Sequence, residues 1–190
     1  MNARISSIVI VILLIGYWYI STHRSEQQQL DPTQPSQLAQ VKGAQIGERN
    51  KTSECQINGP LQDLRCTPGA VNPALTKEVL CSSNFSTKSV RNVLVAEKRQ
   101  VYEEYGIASH QPGQYEVDHL ISLELGGSND IANLWPEAAD PHPGFHEKDL
   151  VENYLHKQVC DGAISLEEAQ KEITTNWLQI YQSGHNINNY

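Results

Sequence analysis

The fold is decided by residues 116–149, which read EVDHLISLELGGSNDIANLWPEAADPHPGFHEKD. The alternation of apolar and polar residues over 115–125 predicts a strand, which the Gly126-Gly127-Ser128-Asn129 turn breaks. Leu134-Trp135 predicts a short returning strand that ends at Pro136. A helix is expected over 145–160 because apolar residues recur there on one face, namely Leu150, Tyr154, Leu155 and Val159.

A strand, a returning strand and a helix can bring four polar side chains to one small site, namely Asp118, His119, Asn133 and His146. Such a set suits the metal-assisted hydrolysis of a phosphodiester. A carboxylate and a neutral imidazole can hold one divalent ion and leave positions open for phosphate oxygens and water. A second imidazole, off the metal, accepts a proton from the attacking water, and a side-chain amide orients that imidazole or joins the metal ligands.

The same residues resemble the HNH nucleases of the His-Me finger (ββα-metal) superfamily. They are most similar to small bacterial HNH-like proteins with a D-H-L-I-x-L-E-L-G-G, N-L-W-P and K-D-x-x-E-N-x-L-H pattern, which here reads DHLISLELGG, NLWP and KDLVENYLH. The resemblance implies an α+β fold with a ββα-metal core framed by additional helices. It also implies a metal-dependent endonuclease acting on DNA, or on RNA, with Mg²⁺ as the expected ion and Mn²⁺ or Zn²⁺ as alternatives.

The resemblance assigns a role to each matching residue. His119 corresponds to the general base and Asn133 to the asparagine that positions it, while Asp118 and His146 correspond to the metal ligands. Lys148 falls where a basic residue contacts phosphate. Two points stay open: His142 is a rival to His146 as a ligand, and Glu116 is either a partner of His119 or a solvated strand charge.

The N-terminus differs from the rest of the chain. An apolar run over residues 5–20 follows Arg4 and ends in Tyr17-Trp18-Tyr19, which predicts a signal anchor or a cleaved signal peptide over 1–24. Residues 25–54 are polar and read as a linker, and 55–190 as the nuclease-like domain. This organisation predicts a membrane-anchored or exported protein, with residues 5–20 in the membrane and the domain in the periplasm or extracellular space.

The four cysteines agree with export to an oxidising compartment. Cys55, Cys66, Cys81 and Cys160 form no Cys-x-x-Cys pair, so two disulfides are expected rather than a zinc ribbon. Three pairings are open, of which Cys55–Cys66 with Cys81–Cys160 is preferred.

Two further helices are expected to frame this core. One spans 95–105 and stops at Gly106, and another begins at Leu166 with Ser165 as its N-cap. Trp135 and Trp177 are expected to lie in the core, and a short helix is expected to open over 72–77 and run towards Cys81.

The net charge of −8 disfavours a protein that binds nucleic acid through a broad basic face, although a local site remains compatible with it. Two other classes of function therefore stay open. One is a catalytically inactive HNH-fold interaction module in the cell envelope. The other is a structural zinc protein that uses His119, His142, His146 and a cysteine, which the irregular spacing disfavours.

Overall fold

The computed structural model describes residues 43–184 and residue 187. These residues form a mixed α+β fold with two small antiparallel sheets. The strands are β1 (Ala44–Gln45), β2 (Ala70–Val71), β3 (Tyr115–His119) and β4 (Leu134–Ala138). The helices are α1 (Lys77–Leu80), α2 (Thr87–Val90), α3 (Val95–Glu104), α4 (Phe145–Cys160), α5 (Leu166–Thr175) and α6 (Trp177–Gln182).

The β3–β4 hairpin pairs Tyr115 with Ala138 and His119 with Leu134. The predicted first strand is shorter than expected, because it ends at His119 and the chain then turns into a 3₁₀ segment, Leu123–Leu125. The predicted second strand is longer, since Pro136 lies inside it, opposite Val117. A two-stranded sheet has only edge strands, so a proline without an N–H can be accommodated there.

Two of the predicted helices are confirmed. Helix α4 has the expected bounds, and α3 ends at Glu104 with Gly106 just beyond it at a φ of 69°. The helix that begins at Leu166 is capped by the Ser165 hydroxyl, which accepts a hydrogen bond from the Glu168 N–H. That helix was expected to continue through Trp177, but it breaks at Asn176 into α5 and α6.

The apolar faces of α4, α5 and α6 pack together around buried Trp177, with Ile121 and Leu125 from the loop after β3. A second buried cluster joins α3 to the hairpin and contains Trp135 and Val101. Both tryptophans therefore lie in the core as expected. The loop after β3 is held between these two clusters, which fixes the end of the strand that carries His119.

The disulfides are Cys55–Cys66 and Cys81–Cys160, which confirms the preferred pairing. The first closes a loop next to the hairpin. The second ties the end of α1 to the last residue of α4, with the two Cα atoms 5.5 Å apart.

The segment predicted as a linker over 25–54 belongs partly to the fold. Residues 43–54 lie within the described chain, where β1 pairs with β2 and Arg49 forms an ion pair with Glu104. The predicted anchor over 1–24 and the rest of the linker lie outside the described residues. None of the helices between residues 43 and 184 has the length and apolar character that crossing a bilayer requires.

Candidate functional site

Asn133 holds the loop that follows β3. Its side-chain oxygen accepts a hydrogen bond from the Ile121 N–H at 2.9 Å, and its amide donates to the carbonyls of Ile121 and Ser128 at 3.0 and 2.9 Å. The side chain is fully buried. Asn133 was expected to orient the His119 imidazole; its side chain instead hydrogen-bonds backbone groups of the loop, so its influence on His119 passes through the shape of that loop.

The residue that contacts the His119 imidazole is Asn129. Its Oδ1 lies 3.2 Å from His119 Nε2. The orientation of this amide is fixed by two other hydrogen bonds: Nδ2 donates to the Val90 carbonyl and Oδ1 accepts from the Asn92 N–H. Because Oδ1 can only accept, Nε2 carries the proton and the lone pair of the neutral ring lies on Nδ1.

Burial keeps the His119 imidazole uncharged. The residue is 1% exposed, and its Nδ1 has no hydrogen-bond partner. Burial disfavours the charged ring and, with help from Arg91 and against the opposing effect of Asp118, lowers the pKa of His119 to about 4. At neutral pH the imidazole is therefore uncharged and its Nδ1 can accept a proton.

His119 lies in a cleft of about 620 Å³ between the hairpin, α2, α3 and α4, which we call the His119 cleft. Two other polar atoms in its lining are buried and without a hydrogen-bond partner, the Ser122 hydroxyl and Glu124 Oε1. Buried polar groups are almost always paired, so three unpaired atoms in one cleft indicate a place for a polar ligand or water.

Lys148 lies beneath the cleft, fully buried. Its ammonium donates to Asp118 Oδ2 and to the His119 carbonyl, each at 2.9 Å, and to the carboxyl of Glu152. Glu137 lies 3.6 Å away. All three N–H bonds are thus used inside the protein, so Lys148 does not have the expected contact with phosphate; it joins α4 to the end of β3.

The pKa values of the acids around Lys148 are shifted in opposite directions. Burial alone raises the pKa of Asp118, but the Lys148 ammonium outweighs it and lowers that pKa to about 2. Burial raises the pKa of Glu152 to about 8 and that of Glu137 well above its ordinary value. Asp118 and Lys148 thus form an ion pair, and burial favours the protonated forms of Glu137 and Glu152, which limits the cost of burying the cluster.

The lining of the cleft contains both acidic and cationic side chains. Burial, followed by repulsion from neighbouring carboxylates, raises the pKa of Glu116, Asp149 and Glu124, the last to about 7. Glu116 lines the cleft with His119, although no hydrogen bond joins the two within the described residues. Arg91 and Lys98 line the same cleft, so it offers acidic oxygens together with cationic groups.

The two candidate histidine ligands lie outside the lining of the cleft. His146 is exposed at the second residue of α4, with its ring tilted by 56° against the Phe145 ring. His142 is exposed and pairs with Glu147 at 2.9 Å, which raises the pKa of His142. Of the two residues predicted as metal ligands, Asp118 lines the cleft with His119 and His146 does not, so the role of His146 as a ligand stays a prediction.

Two carboxylates of the cleft, Asp118 and Asp149, are candidate ligands for a hard divalent cation. Mg²⁺ is commonly held by one or two carboxylates with several waters completing its shell. Among the described residues, the one group of three metal-binding side chains within ligand reach of each other is Cys81, His156 and Cys160. Because its two sulfurs form a disulfide, it is not a metal site in this form of the protein.

Sequence reasoning missed Asn129, Ser122 and Arg91. Asn129 had been assigned only to the turn that ends the first strand. Arg91 directly follows α2 and reaches the cleft from there. It is far from His119 in the sequence, and no periodic pattern marks it.

Comparisons of the chain with family models, curated proteins and solved structures find no match.

Proposed function

We propose that this protein is a metal-dependent nuclease that hydrolyses phosphodiester bonds of DNA, or of RNA, with His119 as the general base. One observation carries the proposal: the buried, uncharged His119 has an Nδ1 without a hydrogen-bond partner. This histidine lines a cleft that also contains cationic and acidic side chains. The order of hairpin and helix supports the ββα-metal core that the resemblance implies.

The reaction is the displacement of one ester oxygen from phosphorus by water. His119 Nδ1 takes the proton as the water oxygen forms its bond to phosphorus; the bond from phosphorus to the leaving oxygen breaks, and that oxygen is protonated from solvent. Asn129 holds the ring in the tautomer that leaves Nδ1 free. Arg91 and Lys98 line the cleft, and their positive charges offset the negative charge of the phosphate.

A divalent ion, with Mg²⁺ as the first candidate, would be held by Asp118 together with Asp149. Bound there, it would supply positive charge at the phosphate oxygens. Lys148 contacts Asp118 from the interior and so keeps that carboxylate at the end of β3.

We further propose that the domain acts outside the cytoplasm, on a membrane anchor over residues 5–20 or after export. Two disulfides within the described residues support an oxidising compartment.

A DNA-cleavage assay tests the proposal. The full-length chain is incubated with supercoiled plasmid and with circular single-stranded DNA in Mg²⁺, Mn²⁺ or EDTA, beside His119→Ala and a matched His142→Ala control, since His142 lies outside the cleft. We expect metal-dependent cleavage of at least one of the two substrates by the wild type and the control, and a loss of at least a hundredfold in His119→Ala. Cleavage that is unchanged in His119→Ala would overturn the assignment of the base.

A catalytically inactive interaction module is the second candidate. The observation that favours it is the ion pair between Lys148 and Asp118, which neutralises one carboxylate of the expected metal site. A folded, disulfide-intact protein that cleaves neither duplex nor single strands with any of these ions would favour this candidate.

A further inference from the structure

Four of the fourteen lysine and arginine residues of this acidic protein lie in a segment with few acids. Between residues 79 and 102 the chain carries Lys88, Arg91, Lys98 and Arg99 but a single acidic residue, Glu97, and Glu103 and Glu104 then end α3. All four cations are exposed, and no ion pair holds any of them within the described part of the chain. Glu97 is engaged as a cap, since its carboxylate accepts a hydrogen bond from the Leu94 N–H.

This segment lies between two adjoining depressions. The first is the His119 cleft, with Arg91 and Lys98 in its wall. The second, of about 840 Å³, runs along α3 and is lined by Lys98, Arg99, Tyr102 and His110 among others; we call it the α3 groove. Because Lys98 and Tyr102 line both, the two form one continuous surface that leads from His119 along α3.

Aromatic rings occupy the α3 groove. The Tyr102 and His110 rings lie 4.4 Å apart between centroids and are tilted by 34°. Tyr115 meets His110 edge-on at 6.2 Å, and His110 is exposed to solvent. Rings placed between exposed cations are the arrangement on which unpaired bases stack while the phosphates contact the cations.

We infer that the His119 cleft and the α3 groove together bind a single-stranded nucleic acid, which is the substrate class of the proposed nuclease. In a duplex the faces of the bases are covered by their neighbours, so Tyr102 and His110 could not stack on them. The inference rests on the proposed function and narrows its substrate.

The charges of the lining favour one strand as well. The backbone of a single strand can follow Arg91, Lys98 and Arg99, while the carboxylates of Glu116 and Asp149 in the His119 cleft repel the phosphates of a second strand. A flexible strand can also bring one phosphate down to His119, which is 1% exposed.

Fluorescence anisotropy in EDTA tests this inference without cleavage. Full-length protein carrying His119→Ala is titrated into labelled (dT)₂₀ and into a labelled 20-base-pair duplex. We expect at least tenfold tighter binding of the single strand. Adding Tyr102→Ala should weaken that binding about tenfold while Tyr102→Phe, which keeps the ring, leaves it unchanged.

The cations are tested through the salt dependence of binding. Lys98→Ala and Arg99→Ala should each reduce the slope of log K against log salt by about 0.7, and Lys171→Ala, an exposed lysine outside both depressions, should not.

Equal affinity for duplex and single strand, or no effect of Tyr102→Ala, overturns the inference while leaving the proposed nuclease intact if the wild type cleaves DNA. No binding by the variant together with no cleavage by the wild type overturns the proposed function, and the inference with it.

Discussion

At the scale of single residues, the site depends on two asparagines, of which sequence reasoning assigned a role at His119 only to Asn133. Asn133 satisfies backbone groups of the loop after β3, whereas Asn129 contacts the imidazole of His119. Both are buried or partly buried amides near one histidine. Only the structure separates the one that shapes the loop from the one that selects the tautomer of the base.

This difference predicts that one alanine variant loses activity and the other loses stability. Asn129→Ala should reduce kcat about tenfold because the ring loses the acceptor that fixes its tautomer, and Asn129→Asp should recover most of that loss because an oxygen acceptor is retained. Asn133→Ala should instead lower the free energy of unfolding by about 3 kcal/mol or more, since several buried backbone groups lose their partner. Steady-state kinetics and urea unfolding of the three variants check this; a lower kcat in Asn133→Ala with unchanged stability would contradict it.

At the scale of elements, α4 is joined to the rest of the site by Lys148 and by Cys160. Lys148 connects α4 to the end of β3, and Cys160 connects its C-terminus to α1. The bounds of α4 could be predicted because Leu150, Tyr154, Leu155 and Val159 share one face of the helix. The burial of Lys148 could not, since nothing in the sequence shows that carboxylates from β3, β4 and α4 converge on one ammonium.

Replacement of the Lys148 ammonium should therefore destabilise the fold. Lys148→Met leaves the Asp118 carboxylate buried without its cation, and we expect a loss of about 3–5 kcal/mol in unfolding free energy at pH 7. The deficit should shrink as the pH falls, because Asp118 in the variant takes up a proton at a higher pH than in the wild type, where its pKa is about 2. Urea unfolding at several pH values checks this. The control is Lys98→Met, which replaces an exposed lysine. If Lys148→Met were as stable as this control at pH 7, the prediction would be contradicted.

The two disulfides should differ in their contribution to stability. Cys81–Cys160 spans 79 residues and Cys55–Cys66 spans 11, so loop entropy predicts about 4.5 and about 3 kcal/mol respectively. Unfolding of the paired serine variants Cys81→Ser with Cys160→Ser, and Cys55→Ser with Cys66→Ser, measures both. A larger loss from the short loop would contradict this order.

At the scale of the whole molecule, the sequence pattern predicted the α+β class, the hairpin followed by α4, and the core tryptophans. Those predictions succeed because they depend on local periodicity and turn residues. The strand ends were wrong because Asn133 and the core clusters decide where β3 stops. His146 lies on the exposed side of α4, outside the lining of the His119 cleft, and spacing alone does not reveal this position.

The uneven distribution of charge reconciles a net charge of −8 with the proposed nucleic-acid substrate. Three exposed cations, Arg91, Lys98 and Arg99, line the His119 cleft and the α3 groove, and carboxylates line the same cleft. Binding by a local basic path rather than a broad basic face is compatible with an acidic protein.

The central claim, that the neutral His119 imidazole is the base, is tested most directly by the pH dependence of kcat/KM for DNA cleavage. Since burial lowers the pKa of His119 to about 4, and only the uncharged ring accepts a proton, activity should hold as the pH falls from 7 and decline with a midpoint near 4. His119→Ala should abolish this activity. A midpoint near the ordinary histidine value of 6.5 that persists in Glu124→Gln would contradict the account.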